Sequence, residues 1–180
     1  MKTKTIQLIV MVLLVLGFTG CDKVSDLNTV TFDADFAASL DCSTAALKST
    51  AENHAFSGTA VIDPASDTNV SDYLDNIKKY EVEAVHATIT SMSQENVTVF
   101  TATLDVFNAG RETGWSMTNE VLTTGKTITL GNENGQWDTV SEILKDGQVF
   151  TVQINGEADT GSVTFTLRVR IETKVEAKVI

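Results

Sequence analysis

Val163-Thr164-Phe165-Thr166-Leu167-Arg168-Val169-Arg170-Ile171-Glu172, close to the C-terminus, carries the clearest pattern in the chain. Apolar side chains take every odd position from Val163 to Ile171, and threonine, arginine or glutamate every even one. Side chains leave a strand on alternate faces, so a period of two gives one buried and one wetted face. A helix would instead need apolar residues three and four apart. The phase continues through Val175, Ala177 and Val179, which predicts one long strand or two in register around a bend near Thr173.

Outward from this stretch the same period recurs less clearly at Thr29 to Phe36, Phe56 to Ile62, Val82 to Thr90, Thr98 to Phe107, Lys126 to Leu130 and Gln148 to Ile154. In the fourth of these, Phe100, Ala102, Leu104 and Val106 are expected to share the inner face. Turn residues separate the runs, at Asp63-Pro64, Asn108-Ala109-Gly110, Gly131 to Gly135 and Asn155-Gly156. About seven strands with turns between them predict a mainly β, antiparallel sandwich. Threonine suits its wetted faces, being β-branched and hydroxylated. Two short helices are expected. One runs from Ser71 to Tyr80; the other runs from Asp138 to Lys145, with Val140, Ile143 and Leu144 as its apolar stripe and Gly147 beyond its end. Ala37 to Asn53 shows no clear period, though Ala45-Ala46-Leu47 could form a helical turn.

The opposite end of the chain says where the protein resides. Lys2 and Lys4 form a basic n-region, Ile6 to Phe18 an apolar h-region, and Phe18-Thr19-Gly20-Cys21 puts two small residues before a cysteine. The apolar run is shorter than the ~20 residues a spanning helix needs. The pattern resembles a bacterial lipobox, with Phe18 where leucine is usual. It implies removal of residues 1–20, acylation of Cys21, a tether over 21–28 and a single domain over 29–180. Two or more acyl chains hold a protein firmly where one holds only marginally.

Loss of residues 1–20 removes two lysines and no acid, leaving 11 basic against 24 acidic residues, a net charge of −13. Such a surface argues against a nucleic-acid partner, because phosphate binding needs basic groups. It also makes acylated Cys21 the membrane attachment, since no polybasic patch is present. With Cys21 acylated, Cys42 has no partner for a disulfide and reads as a small, part-buried residue.

Catalytic chemistry finds little support. His54, in a polar loop, and His86, on the wetted face of a strand, lie in no motif. The chain has no His-Glu-x-x-His, no Cys-x-x-Cys, no phosphate loop and no Gly-x-Ser-x-Gly. No enzyme activity and no cofactor are expected. Asp63, Asp67, Asp72 and Asp75 gather around one loop and are weak calcium candidates, although their spacing fits no defined calcium loop and turn or capping roles explain them. Trp115, in the glycine-flanked run Gly110 to Ser116, is the candidate ligand-binding residue, as an exposed indole there could stack on a sugar or anchor a protein. Trp137 precedes Asp138 and is expected to pack on the helix it introduces. Asn69-Val70-Ser71 and Asn96-Val97-Thr98 fit a glycosylation sequon, which beside a bacterial lipobox has no expected role.

Lipobox cysteine, short tether and alternating domain together resemble the small surface lipoproteins of Bacteroidota. That resemblance implies an immunoglobulin-like β-sandwich held on the outer membrane, at its periplasmic or surface face. It implies a non-catalytic binding or adhesion module whose ligand is a glycan or protein. The alternative is a structural or accessory subunit of an outer-membrane or fimbrial assembly, in which a long apolar edge strand, such as Val163 to Val179, would be exchanged between subunits.

Overall fold

The computed structural model describes residues 28–44 and 53–179. The signal segment, Cys21, the tether up to residue 27 and the Ala45-Ala46-Leu47 turn lie outside the described residues. The chain is mainly β. Its strands are β1 (Thr29–Thr44), β2 (His54–Ile62), β3 (Ile77–Met92), β4 (Val97–Phe107), β5 (Glu112–Leu122), β6 (Thr127–Thr129), β7 (Phe150–Ala158) and β8 (Thr164–Lys178). All pairings are antiparallel, and the strands join in one sheet ordered β5-β4-β7-β2-β1-β8-β3-β6. The sequence predicts about seven strands in two sheets; the described residues form eight strands in one sheet, curled into a half-barrel.

β8 is one unbroken strand without a bend at Thr173. Phe165, Leu167, Val169, Ile171, Thr173, Val175 and Ala177 all face the core. Thr173 keeps the phase because its hydroxyl donates to Ala34 O at 2.9 Å, satisfying the one polar group on that face. β1 pairs with β8 without a register shift from Thr29↔Lys178 to Ser43↔Thr164. Its second half masks its period because, Leu40 apart, the inward residues Ala38, Cys42 and Thr44 are small or polar, yet burial alternates to the end. On the other side of β8, β3 has register shifts at Ile77/Lys79, Val82/Ala84 and Ile89/Ser91. Each inserts a residue on β3 alone, which bends the strand and increases its twist.

β1 and β2 pair only at Ser43↔Ser57 and Thr44↔Phe56, the shortest junction between the strands that link the two halves of the sheet. Two glycines admit close neighbours around it. A Cβ on Gly58 would lie 2.5 Å from Cys42 Sγ, and one on Gly156 would lie 2.5 Å from Phe56 Cζ and 2.6 Å from Thr101 O. The two halves of the sheet, β5-β4-β7-β2 and β1-β8-β3-β6, face one another over a shared core. Phe56 from one half meets Phe165 from the other edge to face, with centroids 5.3 Å apart.

Helices close the ends. α1 is only Thr68–Ser71, followed by a 3₁₀ turn at Leu74–Asn76, and Ile77 already begins β3. The helix expected over Ser71 to Tyr80 is therefore corrected: Tyr80 is an inward β3 residue, edge to face with Phe36. α2 spans Gln136–Lys145 and buries Val140, Ile143 and Leu144, as the stripe predicts. Its first turn has no side-chain cap from Gly135, and Asn132 Oδ1 accepts from Trp137 N instead. Gly147, at φ 65°, ends it in the left-handed conformation that favours glycine. Among the described residues no helix is long and apolar enough to cross a membrane.

Candidate functional site

Trp115 does not sit in an exposed loop. It lies in β5, opposite Leu104, and is 6% exposed. Its Nε1 donates to Gly131 O at 2.6 Å. The expectation of an open indole is corrected, because a ring packed into the core offers no face to a ligand. β5 escaped notice because it is an edge strand whose fully buried residues are only Trp115 and Leu122, with Asn119 at positive φ between them.

The aspartates around the 63–75 loop serve the backbone. Asp63 Oδ1 accepts from Ala65 N, and Asp67 Oδ1 from Asn69 N and Val70 N, so both cap their own turns. Asp72 ends α1 and Asp75 lies in the following 3₁₀ turn. Among the described residues no three His, Cys, Asp or Glu side chains come close enough together to hold a metal ion.

His54 is also corrected, being the buried first residue of β2 and not part of a polar loop. His86 faces outward on β3 as expected, its Nδ1 within 3.3 Å of Thr129 Oγ1. Cys42 is buried on β1, and desolvation, then the Asp41 charge, push its thiol up to about 12. It is an inert core residue at neutral pH.

The outer face of the sheet divides by chemistry. Over β1, β8 and β3 it is a charge ladder in which basic residues of β8 lie between acids of the flanking strands. Arg170 meets Asp35 at 2.5 Å, and Lys174 meets Glu83 at 2.9 Å. Over β5, β4, β7 and β2 most side chains are short and neutral, with Asp105, Glu112 and Glu157 as carboxylates among them. One cross-strand row runs Ser116, Thr103, Asn155, Ser57, Ser43, each opposite the next. All five are exposed. At ~4.8 Å between strands, the row extends about 19 Å.

This row lines a shallow groove of about 730 Å³, with Thr101 beside it and Glu157 as its single charged residue. Phe56, Ala102, Gly156 and Met117 also border it, although the side chains of Phe56 and Ala102 are buried on the core side. Glu157 is held by Asn53 Nδ2 at 3.0 Å. Among the described residues, no side chain or backbone group takes the hydroxyls of Ser57, Thr101 or Ser116, so they are free to bond outward. One row further along, Asp105 faces Gly114 across the β4–β5 pair. Desolvation, reinforced by the charge of Glu112, raises its carboxyl above the ordinary value, while a hydrogen bond from Thr103 partly offsets this.

The groove can therefore supply neutral donors and acceptors over a flat, part-apolar floor. It has no nucleophile paired with a base and no cluster of carboxylates. From the sequence, threonine is expected on the wetted faces, but Ser43 falls in a stretch without a period and Ser116 in a run that reads as a loop. What the sequence could not provide is the cross-strand alignment that puts residues 43, 57, 103, 116 and 155 in one row.

No family model matches the chain, and no curated protein matches it. A solved structure described as Desmodium yellow mottle tymovirus matches at 7% identity over 84% of this chain and 84% of that chain, with a TM-score of 0.31, a likeness too loose to bear on fold or function.

Proposed function

We propose that this chain is a non-catalytic binding module, tethered to the outer membrane through acylated Cys21, that engages a neutral glycan in the groove across β5, β4, β7, β2 and β1. The observation that carries this reading is the exposed row Ser116, Thr103, Asn155, Ser57, Ser43. Sugar hydroxyls both donate and accept, as do the serine, threonine and asparagine side chains in that row. The net charge of −13 that remains without residues 1–20 disfavours anionic polymers, and a groove with one carboxylate gives little purchase to a cationic one.

Each hydrogen bond to the ligand replaces one to water, so each contributes only about 1 kcal/mol. A single groove then binds weakly. Many copies on one membrane raise avidity without new contacts, which is the service the lipid tether renders. The immunoglobulin-like sandwich belongs to the same proposal. What supports it is the way the two halves of the sheet face each other, joined only at the short β1–β2 pairing. The strand on which an exchanged-strand assembly would rest, β8, is paired on both edges, by β1 and β3.

Two experiments test the reading. Thr103→Arg places a long cation in the middle of the groove at an exposed position, so it should abolish binding to a panel of neutral oligosaccharides while leaving the melting temperature unchanged. Unchanged binding, or no binding by either protein, contradicts the groove assignment. Cys21→Ser removes the acylated thiol, and the protein should leave the membrane fraction; retention with labelled fatty acid attached contradicts the anchor.

A further inference from the structure

A second cleft, of about 520 Å³, lies between the first half of β3 and α2. One wall is Lys79-Tyr80-Glu81-Val82, and the other includes Trp137, Asp138 and Glu142. β3 has 16 residues and its neighbour β6 only 3, so most of that side of β3 is left over. β6 pairs with His86 to Thr88 alone.

Which backbone groups face the leftover edge follows from the hydrogen bonds just beyond. Val85 O accepts from Leu130 N, and Ile89 N donates to Lys126 O. Val85 and Ile89 have buried side chains, so inward residues of β3 turn their peptide groups to this side. Tyr80 and Val82 are inward residues too, and the register shift at Val82/Ala84 keeps them in that set. Among the described residues no strand pairs with them there. A free strand edge beside a helix can take an extended segment by main-chain hydrogen bonds, with alternate side chains read by the walls.

The walls favour one charge. Glu81 is paired with Lys79 at 2.9 Å and Glu142 is approached by Arg111 at 3.8 Å, which leaves Asp138 without a basic partner among the described residues and acids in the majority along the walls. Half-buried Trp137, its Nε1 held by Leu130 O at 3.1 Å, offers an indole to the stem or head of a long cationic side chain. We propose that this cleft binds an extended, basic segment of a partner protein, which adds to the edge of β3 as a further strand with lysine or arginine side chains toward α2. This goes beyond the glycan reading and uses a separate surface.

The test uses the intact chain and a capped hexapeptide, Lys-Val-Lys-Thr-Lys-Val, followed by amide hydrogen exchange. At saturation the Tyr80 and Val82 amides should exchange roughly tenfold more slowly or less still. Asp138→Lys, at an exposed position, should weaken binding about fivefold or more. The same peptide N-methylated at alternate residues keeps its charge but cannot pair, and it should not bind. Equal binding by the two peptides would reduce the contact to charge attraction and overturn the proposal. So would unaltered exchange at Tyr80 and Val82 at the highest soluble peptide concentration, or strong protection of both amides before any peptide is added.

Discussion

Trp115 and Trp137 donate their indole N–H groups to neighbouring carbonyls, Gly131 O at 2.6 Å and Leu130 O at 3.1 Å. One tryptophan comes from edge strand β5 and the other from the first turn of α2. These two adjacent carbonyls follow directly on β6, the strand at the far edge of the sheet. The two indoles thus fasten the ends of the curled sheet and the helix to a single stretch of backbone. Arg111 ties the other end of α2 to the start of β5 through Asp146 and, at 3.8 Å, Glu142.

Trp115→Phe keeps an aromatic ring in the core but removes the hydrogen bond to Gly131 O and the volume of the second ring, so it should cost about 2–3 kcal/mol. Trp115→Ala should cost about 3–5 kcal/mol, as other large-to-small core changes do. In a domain of this size each kcal/mol lowers Tm by about 2–4 °C. Calorimetry of the two variants measures this. Trp115→Ala with a wild-type Tm would mean that the indole is not part of the core.

Gly156 tests the packing where β7 lies between β2 and β4. A Cβ there meets the Phe56 ring and also Thr101 O, a backbone atom that cannot step aside. Gly156→Ala should therefore destabilise by about 1–3 kcal/mol through overpacking. Shortening the ring with Phe56→Leu in the same chain should recover only part of the loss. Full recovery would show that the carbonyl contact yields freely.

The strand phase predicts opposite outcomes at adjacent residues. Val169 is fully buried on β8, whereas Arg168 beside it is exposed and forms no ion pair among the described residues. Val169→Asp buries an unpaired carboxylate and should cost several kcal/mol; Arg168→Ser should stay within about 0.5 kcal/mol. Chemical denaturation distinguishes them, and equal midpoints would contradict the assignment of faces.

These residues show how far the sequence could be read. β8 was legible because its inward residues are large and its outward ones polar from end to end. The second half of β1 alternates as strictly in the structure, but small Ala38 and Cys42 and polar Thr44 mask it. β4 was read with one phase through Phe100, whereas a register shift between Val99 and Thr101 turns Val97 and Val99 inward along with Ala102, Leu104 and Val106. A bulge is a pairing property, invisible in one strand alone. The groove was illegible for the same reason: its residues come from strands separated by up to 112 positions only in the folded register, as Ser43 and Asn155 do through Ser57.

Asp105 gives the account a pH dependence. Its carboxyl is raised by desolvation and by Glu112, so the folded chain holds that proton more tightly than the unfolded one. Below the unfolded carboxylate range both states are protonated and the group is neutral to stability. As pH rises through the window up to the raised folded value, stability is lost, and the loss persists above it. Asp105→Asn should therefore raise Tm by about 1–3 °C at pH 7 and leave it unchanged near pH 3. A lower Tm at pH 7 for the variant would reverse the sign and contradict the cause.

The central claim, that the neutral row across five strands is the ligand face, is tested most directly by amide chemical-shift mapping with neutral oligosaccharides. The account predicts shifts concentrated at Ser43, Ser57, Thr103, Ser116 and Asn155, with Asp35, Arg170 and Lys174 on the charge ladder unmoved. Shifts centred on the charge ladder, or none anywhere at millimolar sugar of every type, would contradict it.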